Sequence, residues 1–130
     1  MDALSLEGRR GLPDTLRVLL ADFPRDSWKT DPGFGGIVSF WLDRHLMFRR
    51  LTTTMQEDTE AVLDGAMDPQ EHKARLGRFG SMLVQQLHGH HQIEDQHYFP
   101  VLSGFDPRLL RGFDILDKDH DAMDGLLDRF

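Results

Sequence analysis

The chain has 130 residues, 39% of them hydrophobic and 28% charged, with a formal net charge of −7 and no cysteine. That length suits one globular domain with a real core, and the acidic balance argues against nucleic acid or an anionic membrane as the main partner. Without cysteine there are no disulfides, no thiolate metal sites and no cysteine nucleophile, so any metal is held by nitrogen and oxygen.

No apolar run approaches the roughly 18 residues of a transmembrane helix. The opening MDALSLEGRRGLPD has no apolar signal core. The expectation is a soluble, cytoplasmic protein.

Helical periodicity dominates and strand signals are weak. A short helix is expected from about Leu12 to Phe23, with Pro13 in its first turn and Pro24 past its end. DSWKTDPGFGG, residues 26–36, reads as a loop. A long helix should follow from Phe34 or Ile37 to Asp64, and DGAMDP stops it and starts the next. That second helix should run from about Pro69 to Leu102, with Pro100 kinking or ending it. SGFDP then breaks the chain before a last helix from about Pro107. Short loops between long helices predict an all-α, antiparallel up-down bundle. Residues 1–33 form an N-terminal helix and loop, and residues 34–130 the bundle itself.

Histidines interrupt the apolar seams. In the first long helix the seam reads Val38, Trp41, His45, Phe48, Thr52, Met55. In the second it reads Leu76, Phe79, Leu83, Leu87, His90, Glu94, Val101, with His90 and Glu94 one turn apart. In the last it reads Leu109, Phe113, Leu116, His120, Met123, Leu127. An ionised Glu in an apolar seam costs several kcal/mol unless paired, and a di- or trivalent cation offsets that cost. His45, His90, Glu94 and His120 are therefore the candidate metal ligands, converging as inward side chains do in bundle metal sites.

Three further groups are candidates. Asp124 is one turn after His120 and suits either ligation or holding its tautomer. His91 and Asp95 form another pair four apart, suited to a second layer of ligands or to a solvated ion pair. Each histidine also has a plainer reading. A single His on an apolar face is commonly a hydrogen-bonded core residue, and the metal reading rests on three seams being interrupted together. His72 reads as solvated, His88 and His97 as outer or surface groups, and the acidic QEDTE at 56–60 as a solvated face.

These residues resemble the hemerythrin-like, or HHE cation-binding, domain family. HHQIEDQHYFP at 90–100 is similar to its His-x-x-x-Glu turn followed by an acidic residue and Phe-Pro. WLDRHLMFRRL at 41–51 and LDKDHDAMDGLL at 116–127 look like two further ligand helices, implying His45 and His120. The resemblance covers about residues 34–130 and implies an antiparallel four-helix bundle around non-haem iron, two ions in the family's full site. It departs in one respect. A fourth ligand helix is expected after the one bearing His120, yet the sequence stops at Phe130. The N-terminal helix offers Asp14 and Asp22 but no His. The last helix is then missing from a longer protein, supplied by a second copy, or dispensed with at a single-metal site. Truncation together with a homodimer that completes the bundle is the expectation.

The function implied is a di-iron domain that binds or senses oxygen, iron or redox state, with dioxygen or another small ligand at the metal. Two alternatives stand beside it. One is a di-iron oxidase or peroxide scavenger, although no substrate pocket or separate acid–base pair is evident. The other is a dimerisation module holding zinc or no metal; manganese is also compatible with the donors.

Overall fold

The structure is a computed structural model that describes residues 2–130. Among the described residues it is all-helical, with no strand, and no helix is long and apolar enough to cross a membrane. The chain divides into two compact units. One joins the residues up to Asp31 with His90–Phe130, and the other is Pro32–Gly89.

The second unit is a helical hairpin. Helix α3, Gly36–Leu63, starts where Gly36 takes a positive φ of 48°. It ends in a Schellman turn: Ala66 N–H donates to the Ala61 carbonyl and Gly65 N–H to that of Val62. Gly65 has φ 75°, which suits glycine alone without strain. Helix α4, Pro69–Ile93, opens on Asp68, whose Oδ1 accepts from Gln70 N–H at 2.7 Å, with Pro69 in the first helical position. Arg44 meets Gln86, Asp58 meets Arg75 and Thr59 meets His72. Numbers rise along one helix as they fall along the other, so this pair is antiparallel.

The buried line of α3 is Phe48, Leu51, Met55 and Asp58, which corrects part of the expected seam. Val38, His45 and Thr52 are exposed. Asp58 is the larger correction, because the acidic stretch around it reads as solvated. Its two oxygens accept from Arg75 Nε and Nη2 at 2.6 and 3.0 Å, and this pairing holds its carboxyl below the ordinary value. His72 is half-buried rather than solvated, with Nε2 3.1 Å from the Thr59 hydroxyl.

In the first unit the expected N-terminal helix is broken into pieces. A 3-10 turn, Asp14–Leu16, is followed by α1, Val18–Asp22, and by a single turn α2, Arg25–Trp28, inside the expected loop. No side chain caps any of the three, and short uncapped helices lack the length that offsets nucleation. After Ile93 the chain makes a π turn, Glu94–Tyr98, then α5, Phe99–Leu102. Helix α6, Leu110–Arg129, follows a 3-10 turn at Pro107–Leu109 capped by Asp106, whose Oδ1 accepts from Arg108 N–H at 2.8 Å. Asp95 meets His120 and Phe99 meets Phe113, so α6 runs antiparallel to the segment that carries them.

Pro100 explains the π turn. A proline ring in a regular helix collides with the carbonyl four residues back and offers no N–H. Here the turn before it widens, and Phe99 N–H donates to the Glu94 carbonyl five residues back. The extra residue sets every later position back by about 100°. Phe99 comes round toward the face of Glu94, and Val101, expected on that face, is 60% exposed. On α6 the buried residues are Ile115, Asp119 and His120, while Leu116, expected in the seam, is exposed. Ile115 and Asp119 are covered by the N-terminal segment, where Arg9 forms a two-pronged ion pair with Asp119 and also donates to the Leu4 carbonyl.

Candidate metal centre

The first unit brings together His90, His91, Glu94, Asp95, His120 and Asp124. His90, His91, Glu94 and His120 are all buried. Glu94 stands between two imidazoles: Oε1 is 2.9 Å from His90 Nε2 and Oε2 is 3.4 Å from His120 Nε2. His120 is oriented from its other side, because its Nδ1 donates to Asp95 Oδ1 at 2.7 Å. That bond fixes the ring with Nε2 turned toward Glu94. The carboxylate on His120 Nδ1 is Asp95, from the antiparallel neighbour; Asp124, on α6 itself, was expected either to ligate or to hold this tautomer. A carboxylate–imidazole pair of this kind orients and strengthens a metal-binding histidine.

His91 is buried and stacked on His120, with ring centroids 3.9 Å apart and planes 13° from parallel. Its Nδ1 is buried and finds no hydrogen-bond partner among the described residues. Burial, with His120 and His90 nearby, pushes its pKa down to about 4, against the opposing pull of Glu94 and Asp124. The ring is therefore neutral near neutral pH, as a ligand must be. This overturns the reading of His91 and Asp95 as a solvated pair on a flank. Phe99 closes the far side of the cluster, stacked 5.5 Å from His120 and 4.9 Å from Phe113. Asp124 has a buried carboxylate oxygen and is close enough to act on His91.

His45 belongs to the other unit, on α3. Its Nδ1 donates to the Trp41 carbonyl at 2.8 Å, and its ring meets Phe48 edge-on at 6.4 Å. That hydrogen bond fixes the tautomer with the lone pair on Nε2. His88 and His97 are exposed.

The donor set fits a cation. His120 turns Nε2 toward a Glu94 oxygen while Asp95 holds its Nδ1, so a cation between the ring and the carboxylate would be held by both. Two ligand atoms each about 2.1 Å from one ion lie about 3.0 Å apart at a right angle and about 3.4 Å apart at the tetrahedral angle. The separations of 2.9 and 3.4 Å around Glu94 match that spacing. Imidazole and carboxylate donors suit iron, manganese or zinc.

Three contacts were not read from the sequence. Asp95 orients His120, Arg75 neutralises Asp58, and Arg9 anchors Asp119 beside His120. The i, i+4 rule sees pairs within one helix. It is blind to Asp95 with His120, 25 residues apart, and to Arg9 with Asp119, 110 apart.

Buried imidazoles set about a carboxylate between antiparallel helical segments fit the class of helical cation-binding domains. The family model described as the hemerythrin HHE cation-binding domain matches residues 36–130. The chain belongs to that family. No curated protein and no solved structure matches it.

Proposed function

We propose that this chain is a non-haem iron protein that holds up to two ions and binds or senses oxygen, iron or redox state. The observation that carries the reading is the buried Glu94 set between His90 and His120, with Asp95 fixing the second ring. His45 is proposed as a further ligand through Nε2, the nitrogen that its bond to Trp41 leaves with the lone pair. His91 and Asp124 are proposed as donors to a second ion, supported by the buried, neutral ring of His91 and the buried oxygen of Asp124.

Iron held by these residues would supply an electron-exchanging centre able to react with a small ligand such as dioxygen. The chain's own residues do the rest. Glu94 supplies negative charge in a place closed to bulk water, and Asp95 keeps His120 from turning. Phe99 stacks on His120 and is backed by Phe113, which puts apolar rings on that side of the site.

The reading includes a cytoplasmic location, in keeping with the absence of cysteine. It treats residues 1–33 as a segment appended to a bundle beginning near residue 34. It also includes self-association. Phe40, Leu110 and Leu126 are exposed apolar residues on α3 and α6, and a second copy is the proposed cover for such surface.

The test is ferrous loading under anaerobic conditions, followed by air. The expected result is iron retained through desalting and a near-ultraviolet charge-transfer band that grows on exposure to air. Retention of zinc alone, with no iron uptake, would favour the structural reading. Catalytic turnover of peroxide by the loaded protein would favour the scavenger.

A further inference from the structure

The first unit contains a cavity of about 360 Å³, within the usual range for a small-molecule site. It lies between the N-terminal segment and α6, on the side of α6 that bears Ile115 and Asp119. Leu12, Leu16 and Val18 line one wall; Gly112, Phe113 and Leu116 line the other. Leu12, Val18 and Leu116 are 37%, 44% and 41% exposed, so three large apolar side chains around one hollow are left uncovered. Burying apolar surface of this kind is favourable by about 25 cal/mol per Å², which is the driving force a ligand would use.

The charges at the cavity settle what kind of ligand fits. Arg9 is engaged with both oxygens of Asp119. Arg108 is held by both oxygens of Asp106, through Nε to Oδ1 and Nη2 to Oδ2, and Asp22 stands 3.7 Å from its Nη1. Each cation is therefore already matched by carboxylate, and Asp22 would repel an incoming anion. We propose that this cavity is a binding site for a small, neutral, apolar molecule. The site is distinct from the metal centre and does not depend on it. The two adjoin through one wall, since Phe113 lines the cavity and meets Phe99, which stacks on His120.

Gly112 supplies the test. Gly112 lines the cavity, and a Cβ built there meets nothing within 4 Å, so a larger side chain at this position is the variant that tests filling of the hollow. The substitution also removes a helix-interior glycine, which favours folding. The probe is N-phenyl-naphthylamine, neutral and fluorescent in apolar surroundings, titrated into the metal-free full chain, with decanoate as the anionic competitor. The expected result is saturable binding at one site per chain, at least tenfold weaker in Gly112→Leu, and no displacement by decanoate. Val18→Trp fills the hollow from the opposite wall and should weaken binding in the same way, which covers the case in which Gly112→Leu misfolds. Absence of saturable binding overturns the proposal. So does equal affinity in wild type and both filled variants, because the probe would then be bound elsewhere. Displacement by decanoate overturns the neutral ligand class. None of these outcomes bears on iron uptake, so failure here and failure of the metal reading are separable.

Discussion

At the scale of single residues the account turns on Glu94 and on the bond that aims His120 at it. Asp95 touches His120 Nδ1 and lies outside the line between Glu94 and the two rings. Asp95→Asn should therefore keep the fold while weakening metal binding by about 10- to 100-fold. Competitive metal titration beside a thermal melt checks this; an unchanged affinity would show that the orientation is unimportant. Asp58 gives a separate pH prediction. Its folded pKa lies below the ordinary 3.8 because Arg75 hydrogen-bonds the charged form. A depressed carboxylate contributes stability that is fully present above its unfolded pKa and is lost as pH falls through the lower folded value. Asp58→Asn should thus lower the melting temperature at pH 7, and the gap from wild type should close on acidification below about pH 4. A gap that persists at acid pH would mean the ion pair is not its source. His90, Glu94 and His120 were readable from the sequence because each interrupts a periodic apolar seam. Asp95, Asp58 and Arg9 were not, because their partners are set by which helix lies alongside.

At the scale of elements, the stops were the legible part. The Gly65 turn, the Asp68–Pro69 start and the Asp106–Pro107 start fall where Gly, Asp and Pro stand in the sequence, and α3, α4 and α6 follow within a few residues. The π turn was not legible, although its cause, Pro100, was. A proline before the end of a helix signals a break, and here the chain resolves the conflict by widening one turn instead. The predicted consequence can be tested by deleting Gln96, an exposed residue within that turn. The deletion should restore regular helical register and carry Phe99 about 100° away from His120. Helix content by circular dichroism should stay nearly constant while metal affinity falls. Equal metal affinity in the deletion variant would show that the widened turn has no part in building the site. The N-terminal pieces illustrate the opposite limit. Residues 12–23 have helical periodicity, but no cap and too little length, so only a 3-10 turn and one short helix form there.

At the scale of the whole molecule, the hemerythrin HHE family is shown over residues 36–130, and the helical class follows from periodicity that the sequence displays openly. Self-association is the prediction that belongs here. Sedimentation of the untagged chain should give about twice the monomer mass, and Leu126→Glu on the exposed face of α6 should shift it toward monomer. A wild-type chain that sediments as a monomer at all concentrations would remove the second copy from the account. The reason such assembly is hard to read beforehand is physical: exposed apolar side chains mark a surface to be covered, and they do not say by what.

The central claim is that Glu94 and the imidazoles around it exist to hold iron. Elemental analysis of the untagged protein after anaerobic ferrous loading and desalting tests it most directly, with Glu94→Gln measured in parallel. The account predicts up to two iron ions retained per wild-type chain, and almost none in Glu94→Gln of undiminished helix content. A wild-type protein that retains no iron, or a variant that retains as much as wild type, would contradict it.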